Sequence, residues 1–400
     1  MKKGGAALNI PEYVRVIIER LEAAGHEAYI VGGSLRDMLI GRAPSDFDVT
    51  TSALPEKTLA LFSDMRAIPT GIEHGTITVL SDGFPIEVTT FRTDGEYLDS
   101  RHPESVSFTS DVCDDLSRRD FSMNAIAYNE KRGIVDPFCG REDINNKIIR
   151  AVGDPDTRMR EDALRIMRAL RFSAQLSFSI EENTLLALLR TKEGLANVSR
   201  ERIAVELTKL VISPYPTEAL RTMIDLGISK YVLGDYIPSE RCISLLSTLP
   251  SEFFLRLSCL LWEAELDSAR EILNSLKYSN VQKNGVLKVL SSRALPLPAS
   301  EADIRRFIIT LGEHAERAAT LLSAFGCAPE GFCDKITKTC KTNFARKISD
   351  LRIDGSDLIS LGFQGKEIGE VLEYLFNKVT NDASLNSRER LTEIIKSKDF

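Results

Sequence analysis

Residues 31–51, VGGSLRDMLIGRAPSDFDVTT, join an apolar strand-like run to a glycine pair, a helix-like segment and two closely spaced aspartates. Gly32 and Gly33 stand where the strand gives way to the helix. Backbone N–H groups at a helix start bind phosphate well, and glycine lets a phosphate approach the backbone closely. We expect Ser34 to cap the helix and Arg36 to add a permanent positive charge. A glycine pair alone is also typical of a simple tight turn, but the aspartates that follow favour a phosphate site.

The two aspartates indicate where a metal would bind. Asp46 and Asp48 lie in a predicted strand, DFDVTT (46–51), in which side chains two residues apart point to the same face. Two carboxylates held that close repel each other unless a cation lies between them, and hard oxygen ligands suit Mg²⁺. Glu87, in the predicted strand FPIEVTTFR (84–92), supplies a third acid. Three acids on one face predict a two-metal site, although Asp-x-Asp alone also occurs at solvated strand ends.

The composition is that of an ordinary globular protein and limits the function classes. The 400 residues are 43% hydrophobic and 27% charged, and no apolar run approaches the length of a membrane span. The basic N-terminus lacks the apolar segment of a signal peptide, so we expect a cytoplasmic protein. Seven cysteines without a Cys-x-x-Cys pair argue against a zinc site or a disulfide framework. The net charge of −7 argues against a uniformly basic nucleic-acid binder but allows a local basic strip.

The order of predicted elements indicates an α/β head followed by helices. Up to about Gly140, we predict strands over 27–33, 46–51, 75–80 and 84–92, a helix over 54–65, a mobile loop over 92–112, a helix from near Leu116, and a strand with a turn over 133–140. From about Arg158 onward, apolar residues repeat every three or four positions, which is typical of helices. The segment 351–379 predicts two short helices joined through Gly362 and Gly365.

Two arginine-rich segments are candidates for contacting a nucleotide. In LSRRDFSMNAIAYN (116–129), Arg119 is placed to reach a triphosphate or a ribose, although surface charge before an apolar helix is an equally good explanation. In RMREDALRIMRALRF (158–172), a single predicted helix would align one row of charged residues on one face, with apolar residues on the other. The row comprises Asp162, Arg165, Arg168 and Arg171.

The row has a specific chemical interpretation besides that of a solvated, salt-bridged face. Asp162 can accept a hydrogen bond from an exocyclic amino group, and Arg165 can donate to a ring nitrogen. Together they match the Watson–Crick edge of cytosine or adenine. Uracil and guanine would leave Asp162 facing another acceptor, which costs roughly 1–3 kcal/mol or more. The pair would therefore select C and A without a nucleic-acid template.

Taken together and in this order, the motifs resemble those of the class II (bacterial-type) tRNA nucleotidyltransferases, which include CCA-adding enzymes and poly(A) polymerases. The similarity rests on the glycine pair with Arg36-Asp37, Asp46-x-Asp48, RRDF (118–121), DPF with Gly140 (136–140) and ED-x-x-R (161–165). It implies an α+β fold, with a polymerase-β-like nucleotidyltransferase head followed by all-helical neck, body and tail. The implied boundaries are 1–140 for the head, 141–215 for the neck, 216–345 for the body and 346–400 for the tail.

The resemblance also implies roles for individual residues. Mg²⁺ would bind Asp46 and Asp48, with Glu87 as the third catalytic acid. The incoming CTP or ATP would meet residues from the head and from the 158–172 segment, and the tail would hold the elbow of a tRNA. Triphosphate contacts are implied for Gly33, Arg36 and Arg119, and nucleobase contacts for Asp162 and Arg165, with Arg168 and Arg171 supporting the same pocket.

The sequence is compatible with three related enzymatic activities and with a catalytically inactive RNA-binding protein. A full-length 92–112 segment disfavours CC-only addition, and the lack of a long basic run after residue 395 disfavours poly(A) synthesis. Full CCA addition is the preferred reading, ahead of A-only addition. An inactive RNA-binding protein on the same scaffold would be expected to lose an acid, and the acids are present. Candidate tRNA contacts outside the head are the segment RRF (305–307) and the lysines Lys335, Lys338 and Lys341.

Overall fold

The structure, a computed structural model, describes residues 8–95 and 106–397. The chain divides into two compact units, of which the first ends at Ile237 and the second begins at Pro238. In the described ranges, no helix combines the length and apolar character that a membrane span requires. The architecture is α+β, with a mixed sheet near the start of the chain and mostly helices after it, as predicted.

The first unit contains all the strands of the described ranges. They are β1 (Ala28–Val31), β2 (Asp48–Thr51), β3 (Ala67–Gly71), β4 (Thr76–Ser81), β5 (Phe84–Thr90), β6 (Arg92–Asp94), β7 (Val106–Phe108), β8 (Ala127–Asn129), β9 (Gly133–Val135), β10 (Ile148–Ile149) and β11 (Ser179–Ile180). Its helices are α1 (Glu12–Ala23), α2 (Gly32–Leu39), α3 (Pro55–Leu61), α4 (Val112–Ser117), α5 (Gly140–Asn146), α6 (Pro155–Glu161), α7 (Leu164–Leu176), α8 (Glu182–Thr191), α9 (Arg200–Val211), α10 (Pro216–Asp225) and α11 (Ser229–Leu233).

Seven strands form one sheet in the order β3-β4-β5-β2-β1-β8-β9. The β2–β5 pair is parallel, and the other neighbours are antiparallel. In the parallel pair, Asp48 lies directly beside Glu87. The topology therefore places two of the three predicted acids side by side, although 39 positions separate them in the chain.

Burial of β1 fixes the position of the glycine pair. All four residues of β1 are buried, and on one face Tyr29 and Val31 share a core cluster with Val112 and Leu116 of α4. Helix α1 packs against β1 and β4. Because β1 is a central strand covered by helices, the position of its last residue, Val31, is fixed. The glycines that follow it therefore lie at a defined place at the edge of the core.

Several predicted boundaries differ from the structure. The strand predicted over 46–51 begins only at Asp48, so Asp46 precedes it. The predicted mobile loop over 92–112 contains the antiparallel pair β6–β7, while residues 96–105 lie outside the described residues. The helix expected near Leu116 starts at Val112, where the Asp111 side chain caps it. The predicted all-helical neck also contains the short parallel pair β10–β11.

The second unit is helical throughout its described residues. Its helices are α12 (Glu240–Leu246), α13 (Phe253–Leu260), α14 (Leu266–Ser275), α15 (Asn280–Ser291), α16 (Glu301–Leu311), α17 (Ala315–Ala324), α18 (Phe332–Cys340), α19 (Gly355–Ser360), α20 (Lys366–Asn381) and α21 (Arg388–Lys396). The predicted link between α19 and α20 is confirmed, since Gly362 and Gly365 both adopt positive φ there. Arg305, a predicted tRNA contact, donates hydrogen bonds to the carbonyls of Thr380 and Asn381 at the end of α20.

Candidate nucleotide-binding site

A cavity of about 750 Å³ lies within the first unit. Its lining comes from the start of α2, the turn before β2, residues 118–124, helix α7 and the end of α9. Nine of the ten predicted site residues line it, and the tenth, Glu87, lies beside one of them in the sheet. The nine are Gly33, Arg36, Asp46, Asp48, Arg119, Asp162, Arg165, Arg168 and Arg171.

Glycine is required at position 32 rather than 33. Gly32 has φ +72°, and a Cβ placed there would lie 3.2 Å from Nη1 of Arg119 and 3.6 Å from Oδ2 of Asp48. A Cβ on Gly33 would meet only Nη2 of Arg36, at 3.7 Å. Gly32 thus combines a backbone conformation that favours glycine with close approach to both an acid and a cation. Of the glycine pair, only Gly33 was predicted to contact the triphosphate.

The first turn of α2 differs from the prediction in its capping. Ser34 does not cap the helix; it lies inside the first turn, and its hydroxyl donates to the carbonyl of Val31 at 3.0 Å. The N-cap position is Val31 itself, which offers no side-chain hydrogen bond to the helix. The first-turn N–H groups therefore have no side-chain cap. Arg36, buried on the same helix, pairs with Asp37 at 2.7 Å.

The predicted acids are neighbours, but they do not share a strand. Asp46 lies in the turn before β2, is exposed, and accepts a hydrogen bond from the Ser45 hydroxyl at 3.0 Å. Asp48 is the first residue of β2. Burial raises the pKa of the Asp48 carboxyl to about 6, with help from the charges of Glu87 and Asp46 and against the opposing charge of Arg119. The excess negative charge is what a bound cation would relieve.

Two observations bear on whether these acids suit a metal. Within residues 8–95 and 106–397, no group of three His, Cys, Asp or Glu side chains is arranged closely enough to hold a metal ion in the present conformation. The raised pKa of Asp48 nevertheless shows that Glu87 and Asp46 act on it electrostatically. The two findings are compatible because charge repulsion extends well beyond the roughly 2.1 Å of a Mg²⁺–oxygen bond. The available ligands are carboxylate oxygens, which hard divalent ions prefer. Asp46 is exposed, so its side chain has room to turn toward Asp48 and Glu87. The three residues therefore fit such an ion.

Asp115 organises the two neighbouring arginines. Its carboxylate is fully buried and accepts from Arg118 at 2.6 Å and from Arg119 at 3.1 Å. Burial opposes ionisation of Asp115, but Arg119 and Arg118 outweigh it and lower the pKa. Nε of Arg119 is buried and has no hydrogen-bond partner among the described residues. Arg119 therefore keeps one buried donor unpaired near Asp48.

The segment 158–172 is not one helix, contrary to the prediction. Helix α6 ends at Glu161 and α7 begins at Leu164, while Asp162 is extended, with φ −141° and ψ 100°. The Asp162 side chain accepts from the backbone N–H of Leu164 at 3.1 Å. Aspartate competes with helical hydrogen bonding in this way, which explains the interruption. Asp162 is consequently displaced from the row formed by the arginines of α7.

Each residue of the predicted base-selecting pair has a protein partner. Asp162 accepts from Nη2 of Arg202 at 2.7 Å. Nη1 of Arg165 donates to Glu161 at 2.5 Å and to the carbonyl of Arg158 at 2.7 Å. Both side chains line the cavity. A ligand that uses them must therefore exchange these contacts for its own.

The remaining arginines of α7 are paired with acids from other elements. Arg168 donates to Asp120 at 2.5 and 2.8 Å, and Nε of Arg171 lies 2.6 Å from Glu206. Burial opposes ionisation of Asp120, but the charge of Arg168 outweighs it and holds the pKa of Asp120 well below its usual range. The arginines expected on an open polar face are thus held by tertiary ion pairs.

Comparisons with known proteins agree with this arrangement. The domain described as "Poly A polymerase head domain" matches residues 28–150, and the "Probable RNA and SrmB- binding site of polymerase A" matches residues 177–238. The CCA-adding enzyme of Geobacillus stearothermophilus is 36% identical over 385 residues, which cover 94% of each chain. The chain belongs to the CCA-adding enzyme family.

Two further relatives support this family membership. The CCA-adding enzyme of Geobacillus thermodenitrificans is 49% identical over 218 residues, or 54% of each chain. A crystal structure of the Bacillus stearothermophilus CCA-adding enzyme in complex with CTP matches with a TM-score of 0.81 at 32% identity, covering 97% of this chain and 99% of that one. The resemblance stated from the motifs is therefore confirmed, and nucleotidyltransferases of this kind generally use divalent metal ions.

The residues that hold the site of this family member together, Asp115, Glu161, Arg202 and Glu206, were not predicted. Asp115 carried a detectable signal, since an acid three and four positions before two arginines on a helix can pair with both. Glu161 carried a similar signal, four positions before Arg165. Arg202 and Glu206 come from α9 and are brought to α7 only by tertiary packing.

Proposed function

We propose that this chain adds the 3′-terminal CCA to tRNA by template-independent nucleotidyl transfer from CTP and ATP, with release of pyrophosphate. One observation carries the proposal: a single cavity is lined both by Asp46 and Asp48 and by the arginines of α7. A nucleoside triphosphate needs both kinds of side chain, because its phosphates require a cation and its base requires hydrogen-bonding partners. The full-length similarity to CCA-adding enzymes supports the same activity.

The acidic end is proposed to carry out the phosphate chemistry. Asp46 and Asp48, with Glu87, would hold Mg²⁺, which activates the primer 3′-OH and neutralises the leaving pyrophosphate when bound. Gly32 and Gly33 give the phosphates access to the backbone N–H groups of α2. Arg36 and Arg119 add positive charge, and the buried, unpartnered Nε of Arg119 would gain a partner if it turned toward a phosphate or ribose oxygen.

The arginine-rich end is proposed to read the base. Asp162 accepts from the amino group of cytosine or adenine, and Arg165 donates to the adjacent ring nitrogen. Each then gives up its present partner, Arg202 or Glu161. Uracil and guanine cannot supply the amino group, so they leave Asp162 unpaired after it has lost Arg202, which disfavours them. Arg168 and Arg171 support the pocket through their ion pairs.

We further propose the functional division into head (1–140), neck (141–215), body (216–345) and tail (346–400), with the tail holding the tRNA elbow. Lys335 and Lys338 are exposed on α18, and these lysines fit phosphate contacts. With a tRNA substrate, we expect the protein to act in the cytoplasm.

The test is incorporation of labelled nucleotides into a tRNA that ends before CCA, with Mg²⁺ present. We expect addition of two C residues from CTP alone and of CCA from CTP and ATP together. Asp46→Ala should abolish transfer but leave tRNA binding largely intact, because phosphate contacts elsewhere dominate affinity. Equal loss of transfer and binding would contradict the metal assignment.

The same assay separates the alternatives. Addition of A only to tRNA already ending in CC would identify an A-adding enzyme, and continued A addition beyond the completed CCA end would identify a poly(A) polymerase. Failure to incorporate any nucleotide despite tRNA binding would favour an inactive RNA-binding protein.

A further inference from the structure

Phe172 is the aromatic residue on which the charges of the cavity converge. Its side chain is buried, with 3% exposure, and lines the cavity on α7. Three guanidinium carbons lie within cation–π distance of its ring centroid: Arg171 at 3.8 Å, Arg36 at 5.0 Å and Arg168 at 5.3 Å. The edge of the ring also meets Phe121 at a centroid distance of 5.8 Å. One side chain therefore contacts arginines from two distant parts of the sequence.

Each of these three arginines has its own acid, so the ring is the feature they share. Arg36 pairs with Asp37 on α2, while the partners of the other two come from elsewhere. Arg168 pairs with Asp120, which follows α4, and Arg171 pairs with Glu206 on α9. The aromatic ring of Phe172 is thus shared by three guanidinium groups whose counter-charges come from three different segments.

A hydrogen-bonded path joins two of the arginines around the ring. Nη1 of Arg36 donates to Oδ1 of Asn124 at 2.9 Å, and Nδ2 of Asn124 donates to Oδ1 of Asp120 at 3.0 Å. Nε of Arg168 donates to the other oxygen of Asp120 at 2.8 Å. The path and the ring together form a closed connection between Arg36 and Arg168. A change in the position of one guanidinium must be accommodated by the other.

We propose that Phe172 is a positioning residue that couples the triphosphate end of the cavity to its base-reading end. The inference rests on the proposed function, which assigns Arg36 to the phosphates and Arg168 to the support of the base pocket. When the phosphates engage Arg36, the shared ring and the Asn124–Asp120 path hold Arg168 in its place on α7. Base selection is thereby strongest for a nucleotide whose phosphates are already bound. Such coupling is reciprocal between the two ends.

The test separates the two halves of the ligand. Equilibrium dialysis of labelled cytidine against the full chain with Mg²⁺, with and without saturating tripolyphosphate, gives a coupling factor as the ratio of the two affinities. In the wild type we expect tripolyphosphate to tighten cytidine binding by about fivefold or more. In Phe172→Leu, which removes the aromatic face but keeps an apolar side chain, the factor should fall to about one. Selection of CTP over UTP in primer extension should fall with it.

Matched variants distinguish positioning from general damage. Phe172→Tyr keeps the aromatic face and should retain most of the coupling. Phe172→Met is a second variant without a ring, for use if the leucine variant folds poorly. Phe91→Leu truncates a buried aromatic that packs on Tyr29 in the same unit, and it should leave the coupling factor unchanged.

The outcomes are distinguishable from failure of the proposed function. If the wild type binds CTP and extends tRNA but shows no coupling, the inference is overturned and the proposed function stands. The inference is also overturned if Phe172→Leu or Phe172→Met keeps the full coupling factor. It is overturned again if Phe172→Tyr, which keeps the ring, loses the coupling. If the wild type neither binds CTP nor extends tRNA, the proposed function itself fails.

Discussion

Replacing Asp48 by asparagine should stabilise the metal-free protein while abolishing nucleotide transfer. The pKa of Asp48 is raised from 3.8 to about 6 in the folded chain, by burial first and then by Glu87 and Asp46. A difference of about two pKa units corresponds to roughly 3 kcal/mol at 1.36 kcal/mol per unit. Because the side chain is only partly enclosed, we expect a gain of about 1–3 kcal/mol in the free energy of unfolding at pH 7.5.

The pH dependence of this gain follows from its sign. The unfolded chain releases the Asp48 proton near pH 3.8, whereas the folded chain keeps it until about pH 6. Rising pH therefore favours unfolding of the wild type between about pH 4 and 6, and the penalty is complete above that window. The asparagine side chain does not titrate, so the advantage of Asp48→Asn should be near zero at pH 4 and constant above about pH 6. Added Mg²⁺ should stabilise the wild type and leave the variant unchanged.

The assay must report on the first unit. The single tryptophan, Trp262, belongs to the second unit and is a poor probe of β2. Urea-dependent amide exchange of peptides covering β1 and β2, followed by mass spectrometry in EDTA, measures the relevant opening free energy. Glu73→Gln, at an exposed acid of the same unit, is the control and should have little effect. Equal stability of Asp48→Asn and wild type at pH 7.5, or the same gain at pH 4, would refute the electrostatic reasoning.

Three other substitutions have defined expectations. Gly32→Ala places a Cβ 3.2 Å from Arg119 at a residue with positive φ, so kcat/KM for CTP should fall by at least about tenfold. Gly33→Ala leaves 3.7 Å to the nearest atom, so it should lower kcat/KM far less. Arg165→Ala should lower the ratio of CTP to UTP incorporation more than it lowers kcat with CTP, and an unchanged ratio would remove Arg165 from base selection. Asp115→Asn leaves two arginines without their buried counter-charge and should destabilise the first unit by about 3–5 kcal/mol, measured by the same amide exchange; a loss below about 1 kcal/mol would contradict this.

The features predicted correctly from the sequence are those set by local chemistry. The glycine pair, the strand before it and the helix after it follow from side-chain patterning within about ten residues. The alternation over 84–92 likewise predicted β5, because a half-buried strand needs that period. Asp48 and Glu87 were expected near each other, but their register in a parallel pair depends on the whole sheet.

The break at Asp162 shows where local reasoning failed. The periodicity over 158–172 is helical on both sides of this residue, and the apolar residues of the segment are buried as predicted, among them Ile166, Met167 and Leu170. The pattern does not reveal that the Asp162 side chain accepts from the backbone N–H of Leu164, two residues on, a local bond that competes with helical hydrogen bonding. The salt bridge to Arg202, 40 residues away, then favours this non-helical arrangement.

The partners of the α7 arginines explain why a row of charges can be enclosed. An open polar face beside an apolar one was the expected arrangement, yet Arg165 and Arg171 are each only 8% exposed. Burial is tolerated because each guanidinium has an acid beside it, Glu161 for Arg165 and Glu206 for Arg171, so neither charge is left without a counter-charge. In such an enclosed site, an unmatched donor or acceptor costs more than it would in water. Discrimination between bases by two side chains therefore depends on the acids that allow the arginines to be buried, as much as on Asp162 and Arg165 themselves.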